Sequence, residues 1–337
     1  MEGRLLFVQL GQVVCSTFIM FFLMVLIAES LLWIFGIKNP RARAIVRLIP
    51  ILKMPLEVLC VRENLFVDLN IFSCSSILKT WILPLFVAEE QLLANKLTLS
   101  QYIAYEIPVA LTSLCIMSLL LFLGFMVCKI IRFFYAFHTL QKICDSADAY
   151  ERVITNVVLK QKIKNKKVQI LVSSLVVVPC AFHSKYIVFP EFVNELSQEE
   201  FEAVTAHELE HLRWFDPLIK FTSLFISSLF FWIPASLWLN KLEHEQEHAS
   251  DLSIQHYGLS ELSFANAIMK MMKQIQTNRQ NIKLFIPACT LIRNSSSSFC
   301  RIQAILKNQP IEILNTIQYF GVAIILLSAL IIGFKMC

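Results

Sequence analysis

The chain has 337 residues, 56% of them hydrophobic, and a net charge of +5, with a mean hydropathy of +0.62. That apolar content exceeds what a soluble domain of this length needs to fill its core, so a bilayer has to take part of it. Ten cysteines scattered without Cys-x-x-Cys spacing exclude a disulfide framework and a cysteine zinc site, and no nucleic-acid partner is expected.

In chain order, the first expected element is a membrane-crossing helix near residues 5–27, uncharged from Leu5 to Ile27 and interrupted only by Gln9 and Gln12. It is too long for a signal peptide and no small-residue cleavage site follows, so it is expected to stay in the mature protein. Basic residues Lys38, Arg41, Arg43 and Arg47 come next. Residues 44–60 are apolar but include Arg47, Lys53 and Glu57, so they span only if those charges turn toward other helices or snorkel; an amphipathic surface helix is the competing reading.

Residues 61–105 form an expected external segment. Its Ser76-Ile-Leu-Lys79 has the Ser-x-x-Lys pattern of penicillin-interactive serines, but no Lys-Thr-Gly accompanies it, and we read it as chance. Trp81 to Val87 is apolar enough to dip into the bilayer. Residues 107–128 carry no charge between Glu106 and Lys129 and make a further span. More basic residues follow at Lys129 and Arg132, and again from Lys160 to Lys167, a stretch suited to anionic lipid or to a plain solvated linker. Placing the basic clusters on the cytoplasmic side puts the N-terminus outside, the 37–43 loop inside, and everything from Lys129 to the last span inside.

A catalytic domain fits only between the third span and the end, within 136–314, after the membrane domain 1–135. Lys167 to Val172, Leu175 to Val178 and Tyr186 to Phe189 read as short strands, the last two stopped by Pro179 and Pro190. Leu175 to Val178 is the candidate edge for gripping a peptide as an added strand, with ordinary core as the alternative. Ser197 and Glu200 form a capping box that starts a helix through Phe201, Val204, Leu209 and Leu212. The polar patch Ser295 to Ser298 reads as a loop. The uncharged run Ile317 to Phe334 makes 315–337 a last transmembrane helix, with the C-terminus outside.

On that helix lies His207-Glu208-Leu209-Glu210-His211. A repeat of 3.6 residues per turn puts His207 and His211 on one face, where both imidazoles can bind one ion, and places Glu208 to take a proton from water polarised by it. Glu210 departs from the usual pattern, since that position is ordinarily uncharged in zinc peptidases. A downstream acidic helix, Glu243 to Asp251, offers a third ligand and leaves one position open. Glu247 is favoured by ligand type and register, with Glu243, His244 and His248 as competitors. Asp251, four residues on, can receive the free ring N–H of a ligand histidine.

Lys220 to Leu239 is apolar enough to be a span, yet it separates His211 from Glu247, and one crossing would put the two ligand sets on opposite faces of the membrane. About twenty residues are too few for two crossings, so we expect a core helix or a shallow re-entrant turn bent at Pro234, with the site near the bilayer surface. His183, His248 and His256 are candidate oxyanion stabilisers.

Between Lys167 and Asp251 the sequence resembles the M56 peptidases of the BlaR/MecR type. The resemblance rests on the strand pair ending at Pro179, Tyr-Ile-Val-Phe-Pro190, Leu-Ser-Gln-Glu-Glu200 leading into Ala-His-Glu-Leu-Glu-His211, Asp216, Phe-Trp-Ile-Pro234, and Glu247-His-Ala-Ser-Asp251 where the family has Glu-x-Ala-Cys-Asp. Cys300-Arg-Ile-Gln-Ala-Ile-Leu306 is similar to the family's segment before its last span. The resemblance implies a multi-span α-helical membrane protein with an inserted α+β, gluzincin-like zinc peptidase domain. It implies Zn2+ on His207, His211 and Glu247, Glu208 as catalytic base and Asp251 as support, in a bacterial inner membrane with the peptidase domain cytoplasmic.

Family members that sense β-lactams carry a penicillin-binding domain after the last span. Here the sequence stops at Cys337, so antibiotic binding is not expected. The expected activity is hydrolysis of a peptide or protein substrate, a cytoplasmic repressor or the chain itself, in regulated proteolysis. A housekeeping quality-control protease and a non-hydrolytic or only autoproteolytic scaffold are the alternatives, and self-association is left open.

Overall fold

The computed structural model describes residues 2–63, 100–182, 185–277, 301–303, 305, 318 and 321–323. Two helices open the chain, α1 (Glu2–Ile34) and α2 (Pro40–Glu63). The corner between them is fixed by local chemistry. Gly36 takes φ 56°, in the left-handed region, and Ile37 N–H donates to Leu32 O, which closes the end of α1. Asn39 Oδ1 then accepts from the N–H groups of Arg41 and Ala42 at 3.0 and 3.2 Å, and Pro40 occupies the first helical position, where no N–H is needed.

Helix α3 (Ser100–Asp145) contains the expected span 107–128 and runs on past Lys129 without a break. Among the described residues two helices are long and apolar enough to cross a membrane, α1 within Thr17–Ile34 and α3 within Leu123–Asp145. Residues 44–60 lie in α2; Arg47 is buried between Glu29 of α1 and Glu245, 3.1 and 2.6 Å away, and Lys53 is buried as well. The segment 64–99, with Ser76, Lys79 and Trp81 to Val87, lies outside the described residues, as do Ser295 to Ser298 and most of 315–337.

Next come β1 (Asp148–Ala149), α4 (Val157–Lys166), β2 (Gln169–Val172), β3 (Cys180–Phe182) and β4 (Tyr186–Phe189). The sheet order is β1-β2-β4-β3; β2 and β4 are parallel, and the two outer strands are antiparallel to their neighbours. Alternation along β4 gives the sheet two buried faces. Ile187 and Phe189 enter a core with Phe201, Val204 and Phe264, while Val188 packs with Leu171, Cys180, Phe182 and Ile143 from the end of α3.

The expected strand Leu175 to Val178 is not formed. Ser173 turns the chain there: its Oγ accepts from Leu175 N–H at 3.3 Å and its carbonyl from Val176 N–H at 3.4 Å, a local bonding mode that competes with a ladder. The edge strand starts only after Pro179. The lysine-rich stretch 160–167 is largely helical, with Asn156 capping α4 at Leu159 N–H and Lys167 closing it at φ 51°.

Four helices complete the described chain: α5 (Gln198–Arg213), α6 (Asp216–Leu229), α7 (Ser236–Ser253) and α8 (Glu261–Thr277). At 14 residues, α6 is about 21 Å long, short of the roughly 30 Å hydrocarbon core. The chain then reverses around Pro234 into α7, so the stretch 220–239 is a helix, a turn and the start of a second helix. α6 and α7 share a core with the first hairpin, built on Ile51, Met54, Ile226, Phe230 and Trp238.

Candidate metal centre

Helix α5 begins with the capping box read from sequence. Ser197 Oγ accepts from Glu200 N–H at 3.2 Å, and Glu200 Oε2 accepts from Ser197 N–H at 2.7 Å. The helix is buried on nearly every side, which is unusual for a segment with so many carboxylates, and each has a partner or a task. Glu202 accepts from Thr155 N–H and Oγ1 at 2.5 and 2.7 Å and from Gln198 Nε2 at 2.8 Å. Glu210, the departure from the usual motif, accepts from Tyr257 Oη at 3.2 Å and Arg213 Nη1 at 3.1 Å. Its charge is absorbed away from the histidines.

His207 and His211 bring their Nε2 atoms to 3.1 Å of one another. From α7, Glu247 places Oε2 3.5 Å from His207 Nε2 and Oε1 3.6 Å from His211 Nε2. All three ligand atoms lie within 4.8 Å of one another and could hold a metal ion. Ligands about 2.0–2.1 Å from a tetrahedral ion sit about 3.3 Å apart, so the observed separations match the edges of such a site.

The outer nitrogens are held as well. His207 Nδ1 lies 3.1 Å from Asp251 Oδ1, and His211 Nδ1 lies 2.8 Å from Asp216 Oδ2. A carboxylate on each Nδ1 favours the tautomer that leaves Nε2 free to ligate. Asp216 reaches His211 because Phe215, at φ 57°, turns the chain back between α5 and α6. That left-handed conformation costs a non-glycine residue roughly 1–3 kcal/mol.

The charge balance favours a cation. Burial lowers the basicity of His207, but Asp251 and then Glu247 outweigh it and raise its pKa to about 9. Burial also opposes ionisation of Glu247 and Asp251, yet Arg301 holds both below the usual carboxylate range, with the histidines adding to the effect. Glu208 goes the other way: burial pushes its carboxyl up, against the pull of His207 and His211. Its Oε1 is buried without a hydrogen-bond partner among the described residues, while the Ala181 N–H donates to the carboxylate. A buried carboxylate made more basic beside the two histidines is placed as a general base requires.

Glu208, His211 and Glu247 line a cavity together with Cys180 and Ala181 of the edge strand, and with Asp216, Lys220, Phe221 and Glu243. The competing ligands are placed elsewhere or otherwise engaged. Glu243 pairs with Lys220 at 2.5 Å, and His244 and His248 face each other with ring centroids 6.4 Å apart. Among the oxyanion candidates, His248 does not line this cavity, His256 is exposed, and His183 lies outside the described residues.

Sequence reasoning missed two cations and gave Asp216 no role. Arg301 places Nη1 2.9 Å from Glu247 Oε2 and donates through Nη2 and Nε to Asp251 at 2.6 and 2.9 Å. Its turn is docked by Ile302 and Ile305, buried in the core beside α5 and α8. Arg41 bonds Asp216. The short distance from His211 to Asp216 was a usable signal; for the two arginines nothing in local spacing pointed to the site.

Residues 73–294 match the family model described as BlaR1 peptidase M56. The match takes in the sheet, α5 and α7, and excludes Arg41 and Arg301. None of the curated proteins matches the chain significantly.

Proposed function

Because the chain belongs to the M56 peptidase family, we propose that it is a membrane-embedded zinc endopeptidase with a gluzincin-like site, acting at the cytoplasmic face in regulated proteolysis. The observation that carries this reading is the convergence of His207 Nε2, His211 Nε2 and a Glu247 carboxylate oxygen on one point. These three residues would hold the ion, with Asp251 and Asp216 orienting the two rings. When bound, zinc would supply Lewis-acid polarisation of a peptide carbonyl and would make water acidic enough to give up a proton near neutral pH.

Glu208 takes the proton from the attacking water and passes it to the leaving amine. Its raised basicity suits the first step, and its buried position keeps bulk water from competing for that proton. The substrate is held extended along β3, whose one sheet neighbour is β4 and whose other edge borders the cavity. Edge addition of this kind reads the substrate backbone, so selectivity falls to the few side chains that meet Lys220, Phe221 and Glu243.

Membrane embedding rests on the outward apolar faces of α1 and α3, where Leu26, Trp33, Leu121 and Tyr135 are exposed. One contact supports the sidedness. The basic 37–43 loop belongs inside, and Arg41 at its end touches Asp216 beside the metal ligands, so the site shares the loop's side of the bilayer. The last span, 315–337, and the client, a cytoplasmic repressor or the chain itself, belong to the same proposal.

The test uses the full-length chain in detergent with fluorescein-labelled casein as a generic substrate, alongside its own self-cleavage. Glu208→Gln should lower turnover by roughly 10²–10⁴-fold while zinc stays stoichiometric, and His207→Ala should lose the zinc. Retained turnover in Glu208→Gln overturns the assigned base, and a wild-type protein without zinc overturns the reading.

A further inference from the structure

The bonds that hold His211 continue past Asp216 into the first membrane hairpin. Asp216 Oδ2, 2.8 Å from His211 Nδ1, also accepts from Arg41 Nη1 at 2.7 Å. Arg41 Nη2 donates to Ser250 Oγ at 2.9 Å, and that oxygen lies 3.3 Å from His211 Nδ1. The other oxygen of Asp216 accepts from Gln246 Nε2 at 3.0 Å. One guanidinium therefore spans an oxygen on α6 and an oxygen on α7, the two groups that meet the outer nitrogen of His211.

A planar fork serves both acceptors in one fixed geometry, whereas an ammonium, though it has donors enough for two, is a point charge on a flexible stem. The fork is also steadied: the Arg41 guanidinium lies over the Trp214 ring, 5.3 Å from its centroid. Arg41 sits in the first turn of α2, directly after the Asn39 cap and Pro40. α2 is in turn fastened along α7, where Glu245 receives Arg47 at 2.6 Å and Arg43 at 3.1 Å, and Trp238 Nε1 donates to Arg47 O at 2.6 Å.

We propose that Arg41 is a positioning residue of the metal centre: by bridging Asp216 and Ser250 it holds His211 in its ligating orientation, so that metal affinity depends on the first membrane hairpin being docked on α7. This inference rests on reading His207, His211 and Glu247 as metal ligands. With Arg41 in place, the Asp216 carboxylate is gripped at both oxygens and its plane is fixed on His211 Nδ1. Without it, Gln246 alone steadies the carboxylate, the imidazole gains rotational freedom, and the Nε2 lone pair is no longer aimed at the common point.

The experiment measures zinc affinity by chelator competition on the full-length protein in lipid nanodiscs, and the visible absorption of the cobalt(II) form. Arg41→Gln should weaken zinc binding by about 10–100-fold, the usual effect of losing a partner behind a ligand, and should alter the cobalt spectrum. Arg41→Lys should give a smaller loss. Arg43→Gln, which removes a guanidinium from the same helix without touching Asp216, should stay within about two-fold of wild type. Combined with Asp216→Asn, Arg41→Gln should add less than it costs alone, because the two share the bond to Asp216.

Zinc affinity in Arg41→Gln within about two-fold of wild type, with an unchanged cobalt spectrum, overturns the proposal. So do equal losses in Arg41→Gln and Arg43→Gln, which would reveal a general packing role. Should Arg41→Gln fail to fold, Arg41→Lys decides, and wild-type affinity in that variant overturns the proposal as well. A wild-type chain that binds neither cobalt nor zinc sinks the metal reading itself, a result distinct from all of these.

Discussion

The two histidines of the site look alike in sequence and are held very differently. His207 is fully buried, stacked on Phe264 with ring centroids 5.1 Å apart and backed by Asp251, which Arg301 locks from the C-terminal side. His211 sits at the cavity wall, and its carboxylate is tied to Arg41 of the α1–α2 hairpin. One histidine is thus fixed by the core of the α+β domain and the other by a contact between that domain and the α1–α2 hairpin. A His-Glu-x-x-His motif gives two equivalent ligands on paper; burial and partners make one an anchor and the other adjustable.

Several substitutions would break or sharpen that contrast. Phe264→Ala should cost the most, about 3–5 kcal/mol of stability, because a fully buried ring is removed beside His207; denaturant unfolding of the metal-free protein checks it. Asp251→Ala and Asp216→Asn should each weaken zinc by about 10–100-fold in chelator competition. The first should also destabilise the fold by roughly 3–5 kcal/mol, since it strips Arg301 of its main partner, while Asp216→Asn keeps hydrogen-bonding capacity and should cost less. Equal stability losses in the two would contradict the distinction between anchor and adjustable ligand.

Smaller effects lie farther along α5. Glu202 gathers four donors, three from the segment before α4 and one from Gln198, so Glu202→Gln should cost about 1–3 kcal/mol. Burial opposes the ionised form of Glu202, but bonds from Thr155 and Gln198 win and hold its carboxyl below the usual 4.5. A carboxyl depressed in the folded state contributes stability above its unfolded value and loses it as pH falls through the folded one. Stability of the wild type should therefore drop with acidification below about 4.5 more steeply than that of Glu202→Gln, as read from unfolding midpoints against pH. Ser197→Ala should cost about 1 kcal/mol through loss of the cap.

Where chemistry is local, the sequence could be read. The capping box, the spacing of His207 and His211, the register of Glu247 and Asp251 and the reversal at Pro234 all concern residues within a turn or two of each other, or a geometric demand that chain order alone imposes. Leu175 to Val178 was misread because three successive valines favour a strand wherever they occur, and the deciding bonds come from Ser173. Arg41 and Arg301 were invisible for another reason. Their partners lie 175 and 50 positions away, and nothing in an arginine's neighbours announces which distant carboxylate it will meet.

The seam of phenylalanines where α3 meets the catalytic half has a practical meaning. Phe133 and Phe137 of α3 contact Phe221, Phe225 and Phe182, with centroids between 5.3 and 6.3 Å apart. Cutting the chain between residues 135 and 136, where the texture of the sequence changes, would remove Phe133 from Phe221 and Phe225 and tear the first hairpin from Trp238 and Ile226. A fragment made that way would bare greasy surface right beside His207, His211 and Glu247 and should clump, so biochemistry on this protein has to start from the intact chain.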